Sequence, residues 1–137
     1  MHNKIKLSKL ANAFGLENFL NNKDIPIATS FKLLSLTKKI KSLKKDFEEK
    51  MEELFSKYGI TDNGQTKIIE PTEENAHKFN KEIKELETNR LNFLNERAEL
   101  LNVEIEIPIT KILQTELKNI KIAPNDLSIV SEFIDFE

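Results

Sequence analysis

Leu33, Leu36, Ile40, Leu43, Phe47, Met51, Leu54 and Tyr58 recur at steps of three or four residues. Side chains spaced this way share one face of a helix, so the pattern predicts an amphipathic helix from about Ile27 to Tyr58. Its interior has neither glycine nor proline. At 1.5 Å per residue it would extend about 48 Å. A second helix is predicted from about Thr72 to Asn102, bearing Ala76, Phe79, Ile83 and Leu86, then Leu91, Leu94, Ala98 and Leu101. The five-residue step from Leu86 to Leu91 shifts this stripe around the helix and puts Arg90 where an apolar residue is expected. Such an arginine either packs its stem and sends its head to water, or sits on a partner-facing seam. Phe31, Leu34, Phe55, Phe93 and Leu100 lie beside the main stripes and widen the apolar face.

Punctuation between these segments sets the rest of the outline. Pro26 can begin the first long helix and Gly59 is placed to end it in a left-handed cap. Thr61-Asp62-Asn63-Gly64 is turn chemistry, and Thr72 with Glu73 and Glu74 marks the second helix start. Near the N-terminus, Ile5 and Leu7 alternate with lysines as a short strand would, and Ser8 stands where it could cap a helix through Leu10, Ala13 and Phe14. After Asn102 the period changes. Val103, Ile105, Ile107 and Ile109 alternate with Glu104, Glu106 and Pro108, the pattern of a half-buried strand that Pro108 confines to an edge. Ile112 to Leu117 reads as a short helix, Ile120 with Ile122 as extended chain, and Asn125 to Ile134 as a last helix opened by Pro124.

The fold class that follows is mainly α with minor β: a long antiparallel helical hairpin over residues 25–102, with a basic strand and helix over 1–24. A strand and an acidic helix fill 103–137. The 137 residues suit one domain. A rough balance of apolar burial against chain ordering leaves the hairpin marginal alone, so terminal segments or other subunits must cover it.

Charge divides the chain more sharply than its net of −2 suggests. Residues 1–45 carry ten lysines against Glu17 and Asp24, a net of +8, while the remainder carries eleven bases against twenty-one acids, a net of −10. Complementary ends of this kind can pair within one chain or between copies. Lys38, Lys39, Lys41, Lys44 and Lys45 form a basic cluster that could meet phosphates, but it lacks arginine and interleaved aromatics. A solvated helix face is the better reading of it, and nucleic acid is disfavoured as a partner.

Catalytic signatures are not visible. With no cysteine and only His2 and His77, neither a thiolate site nor a paired-histidine metal site can be assembled, so no metal or cofactor is expected. Three glycines make no phosphate loop, and the many carboxylates fall on exposed helical faces. No apolar run approaches the ~20 residues that cross a bilayer, and Met1-His2-Asn3-Lys4 is not followed by the apolar core of a secretion signal. The sequence therefore points to a binding or scaffold protein rather than an enzyme. Its candidate contact residues are Arg90 on the shifted seam, Val103, Ile105 and Ile107 on the edge-like segment, and Phe133 and Phe136 in the acidic tail.

The order of motifs adds a setting. Phe55-Ser56-Lys57-Tyr58-Gly59 ends a lysine-rich helix, and Thr61-Asp62-Asn63-Gly64 turns into an acidic one. Glu104-Ile105-Glu106-Ile107-Pro108 follows, and Pro124-Asn125-Asp126-Leu127 leads to Glu132-Phe133-Ile134-Asp135. This order resembles that of small, largely uncharacterised tailed-bacteriophage proteins. The resemblance carries no catalytic residues. It implies a viral protein, in the virion or the host cytoplasm, whose partners are phage structural proteins or further copies of itself. A host enzyme or defence protein blocked by the acidic half is the alternative.

Overall fold

Backbone hydrogen bonding follows the predicted periods closely in some segments and departs from them in others. The structure, a computed structural model, describes residues 2–11, 14, 20, 23–117 and 130–136. In chain order the elements are β1 (His2–Lys6), α1 (Leu7–Ala11), α2 (Ile27–Lys32), α3 (Leu34–Tyr58), β2 (Ile60–Asp62) and β3 (Gln65–Lys67). They continue with α4 (Glu73–Lys78), α5 (Ile83–Leu101), β4 (Glu104–Pro108), β5 (Thr110–Ile112), a 3₁₀ turn (Gln114–Leu117) and β6 (Ile134–Phe136). The fold is mainly α with minor β. Where the sequence suggests one domain, the contacts gather into two units, residues 1–45 with 102–137, and residues 46–101.

In the first unit, β1 and β4 pair antiparallel, with Ile5 opposite Ile105 and Asn3 opposite Ile107. Ile5 and Ile107 are buried, so this face belongs to the core. The other face sets Lys4 opposite Glu106 and Lys6 opposite Glu104, opposite charges directly across the ladder. Pro108 falls at the end of the ladder, as its missing N–H requires. β5 and β6 pair in parallel, joining Thr110 to Ile134 and Ile112 to Phe136. Of the short helix expected from Ile112 to Leu117, a 3₁₀ turn forms over Gln114–Leu117, while Ile112 ends β5. Likewise Phe133 lies in a turn and Ile134 in β6 rather than in a terminal helix. The expected extended piece at Ile120–Ile122 and the helix start at Pro124 fall outside the described residues. Ser8 lies inside α1 and does not cap it, because Leu7 already begins the helix, its N–H donating to the Val103 carbonyl at 2.8 Å.

The long first helix is interrupted once. Leu33 separates α2 from α3 with near-helical angles (φ −83°, ψ −6°), and its N–H still donates to the Thr29 carbonyl at 3.0 Å. One turn later both the N–H and the hydroxyl of Thr37 donate to the Leu33 carbonyl, at 2.9 Å each. Such back-bonding often accompanies a bend, although Thr88 makes the same bond to Lys84 within the unbroken α5. Helical phase survives the bend, so Thr29, Leu33, Leu36, Thr37 and Ile40 all face the core of this unit.

The second unit holds the end of α3, a hairpin, α4 and α5. Asn63 (φ 53°) and Gly64 (φ 77°) form the two-residue turn between β2 and β3, both in the left-handed region. That geometry matches the twist of a hairpin, which is why asparagine and glycine stand there. Gly59 does not adopt the expected left-handed cap. It is needed for space, since a Cβ there would lie 2.5 Å from the Phe55 carbonyl oxygen and 2.8 Å from that of Lys67.

Thr72 caps α4 as predicted, its hydroxyl accepting from the Asn75 N–H at 3.1 Å. The second long helix is not continuous, however. Asn80 takes φ 51°, ending α4, and Lys81 donates to the Ala76 carbonyl at 2.9 Å before α5 begins anew. The Phe55 and Phe93 rings pack at 5.2 Å between centroids, tilted by 34°. Beside them Lys57 donates to Glu96 at 3.1 Å.

Candidate functional site

Two rows of exposed side chains stand out, one in each unit. In the first, Ile27 is 88% exposed, Phe31 77% and Leu34 42%. They follow one another at helical spacing on the side of α2 and early α3 opposite the core, and the exposed Lys38 continues the row. Isolated exposed apolar residues are ordinary, whereas three in a row make a continuous apolar stripe on one helix face. Sequence reasoning placed Phe31 and Leu34 beside the core stripe. The signal that separates them is phase: the buried set 29, 33, 36, 40 leaves 27, 31 and 34 on the far side.

The second row lies on α5, where the sequence reading needs correction. Leu86 and Phe93 are buried and Ile83, Glu96 and Leu100 half-buried, so α5 keeps one register throughout. The expected shift at Leu91 does not occur. Phe93, packed on Phe55, fixes the inward face, and Leu91 (58% exposed), Leu94 (44%) and Ala98 turn outward. Glu87 continues this row toward the start of α5 and is exposed. Arg90 is also exposed and lies on one flank of the row.

The remaining candidates fall as follows. Val103 is exposed while its carbonyl is used by Leu7. Ile105 is half-buried. Ile107 and Phe133 are core residues, the first facing Asn3 across the ladder, so neither is open to a partner. Phe136 pairs with Ile112 through the backbone of β6, and its side chain is outside the described set. Lys38, Lys39, Lys41 and Lys45 are exposed and Lys44 half-buried. His77 is exposed on the last turn of α4.

The shifted carboxylates of both units belong to ion pairs. Glu116 accepts from Lys32 at 2.9 Å, from the Leu113 N–H at 2.8 Å and from the Thr29 hydroxyl at 3.1 Å. Lys32 first, then the Leu113 amide, hold its carboxyl below the ordinary value. Hydrogen bonds from Tyr58 and then Lys57 do the same for Glu96, while Glu96 raises Lys57. A cleft of about 200 Å³ beside Asp62 is occupied by structural pairing, Asp62 lying 3.1 Å from Lys78 and 3.9 Å from Lys67. Among the described residues no three His, Cys, Asp or Glu side chains gather to hold a metal, and no helix is long and apolar enough to cross a membrane. Comparison with protein-family models, with characterised proteins and with solved structures finds no match.

Proposed function

We propose that this protein is a non-enzymatic bacteriophage protein that works through protein–protein contacts in the structure or assembly of the particle. The observation that carries the reading is the row Ile27, Phe31 and Leu34, held out of the core on a helix whose opposite face is buried. Leaving such residues in water forgoes roughly 1.5–3 kcal/mol for each large side chain that could be buried, a cost that a partner surface removes. The second row on α5 supplies another surface of the same kind. The phage setting comes from the resemblance of the motif order to tailed-phage proteins.

Mass spectrometry of purified particles and assembly intermediates tests the reading. The protein is expected in one or the other at defined stoichiometry. Its complete absence from both, together with a stoichiometric host protein recovered in a pulldown, would replace particle assembly with host-protein inhibition.

A further inference from the structure

The two exposed rows fit each other. Along α2 and α3 the residues are Ile27, Phe31, Leu34 and Lys38, at steps of four, three and four. Along α5, read backwards, they are Ala98, Leu94, Leu91 and Glu87, at the same steps. We propose that the first row of one copy docks antiparallel on the α5 row of a second copy, placing Ile27 on Ala98, Phe31 on Leu94, Leu34 on Leu91 and Lys38 beside Glu87. This rests on the protein-contact reading above and names its partner as a second copy of the chain.

Three observations select that occupant. The spacing of four, three and four is that of a helix–helix seam, in which side chains of one helix fill gaps left by the other. At one end of the seam the small Ala98 leaves room for Ile27, and the two central layers set Phe31 on Leu94 and Leu34 on Leu91. Charge then fixes direction. In the antiparallel sense Lys38 meets Glu87, whereas in the parallel sense Ile27 would meet Glu87 and bury its carboxylate against an apolar side chain. Among the described residues Lys38 and Glu87 make no ion pair.

The two surfaces are different and every copy carries one of each, so the contact can form twice across a two-fold dimer or repeat head to tail. Head-to-tail contacts close into rings or continue as filaments. Three apolar layers fall short of the ~1,200 Å² that a stable pair of proteins normally buries, so a single contact is weak and the assembly depends on repetition.

The absence of cysteine makes the test specific. Leu34→Cys and Leu91→Cys are introduced in separate chains, both at exposed positions, and the two chains are mixed under mild oxidation. The expected product is the mixed Leu34→Cys/Leu91→Cys disulfide in excess over either homodimer. Adding Phe31→Asp to the Leu34→Cys chain is expected to lower its yield at least tenfold. Adding Lys38→Glu lowers it by about two- to fivefold, as loss of an exposed pair does. Glu87→Lys in the other chain then restores it.

Homodimers alone, or no cross-link with a monomeric mass by light scattering at the same concentration, would overturn the self-docking. The same holds if Glu87→Lys fails to rescue Lys38→Glu. Finding the protein in particles while these tests fail would leave the assembly role standing with a different partner, so the two failures are distinguishable.

Discussion

Replacing Gly59 by alanine should destabilise the second unit, against the usual direction of such a change. Where the backbone tolerates it, glycine to alanine stabilises a protein by about 0.4–1 kcal/mol, because the unfolded chain loses freedom. Here the added methyl would stand 2.5 Å from the carbonyl oxygen of Phe55 and 2.8 Å from that of Lys67. Both obstacles are backbone atoms, one in the last turns of α3 and one at the end of β3. Neither can rotate aside as a flexible side chain would. Relief requires the hairpin to draw back from the helix end, or the last turn of α3 to open and lengthen the 2.7 Å bond from the Gly59 N–H to Phe55. Overpacking of this kind costs typically about 1–3 kcal/mol, which exceeds the entropic gain and leaves a net loss of roughly 1–2 kcal/mol.

Urea unfolding followed by circular dichroism measures this directly. With a slope of about 1–3 kcal/mol per molar urea, the midpoint should fall by roughly 0.5–1 M. Gly64 provides the control, since no atom lies within 4 Å of its would-be Cβ but its φ is +77°. Gly64→Ala should cost about 1–2 kcal/mol through backbone conformation alone. Asparagine at 64, which tolerates the left-handed region, should recover most of that loss, while asparagine at 59 should be no better than alanine. A Gly59→Ala midpoint at or above that of the parent would refute the steric argument.

Other substitutions probe the remaining elements. Ile40→Ala, in the core of the first unit, should cost about 2–5 kcal/mol in the same assay. Phe93→Ala should cost about 3–5 kcal/mol while Leu94→Ala stays near 0.5 kcal/mol; equal losses would mean that the register of α5 is wrong. Phe31→Asp should leave the unfolding midpoint unchanged, because the side chain meets water in the folded chain. The carboxyl of Glu116 is held below its usual 4.5, chiefly by Lys32, so its contribution to stability is fully present above about pH 4.5 and fades as the pH falls through the lowered value. Stability of Glu116→Gln should therefore fall less steeply than the parent's below pH 4.5. Parallel acid limbs in the two unfolding series would remove the Lys32–Glu116 pair from the account.

Periodicity made the helix class and much of the first core legible. The set 33, 36, 40 follows from spacing alone because no residue in it competes with the pattern. Three features escaped for identifiable reasons. The break at Leu33 coincides with Thr37 bonding back to its carbonyl, a local contact that hydrophobicity does not encode. The break at Asn80 depends on a left-handed backbone at a residue that a helical pattern also tolerates. On α5 the sequence offers two leucine-bearing faces, and only the tertiary contact of Phe93 with Phe55 decides between them. That choice converts Leu91 and Leu94 from expected core into surface. In the same way Ile107 and Phe133 pass from expected contact residues into the core, since alternation cannot say which face of a strand or turn its own fold will cover.

The division of charge along the chain has a use that the two units make plain. In the first unit the basic segment 1–45 and the acidic segment 102–137 lie together. Lys4 and Lys6 face Glu106 and Glu104 across the ladder, Lys9 pairs with Glu132, and Lys32 pairs with Glu116. Exposed pairs contribute only about 0–1 kcal/mol each, so this arrangement does more for register than for stability. A slip of β1 by one residue would break both facing pairs and turn Ile5 out of the core. Lys38, Lys39 and Lys45 are not used in this way by any described residue, and they lie on α3 beyond the apolar row. Of the three, Lys38 directly continues the line of Ile27, Phe31 and Leu34, so under the self-docking proposed above it is the lysine that an acidic residue of the covering helix would meet.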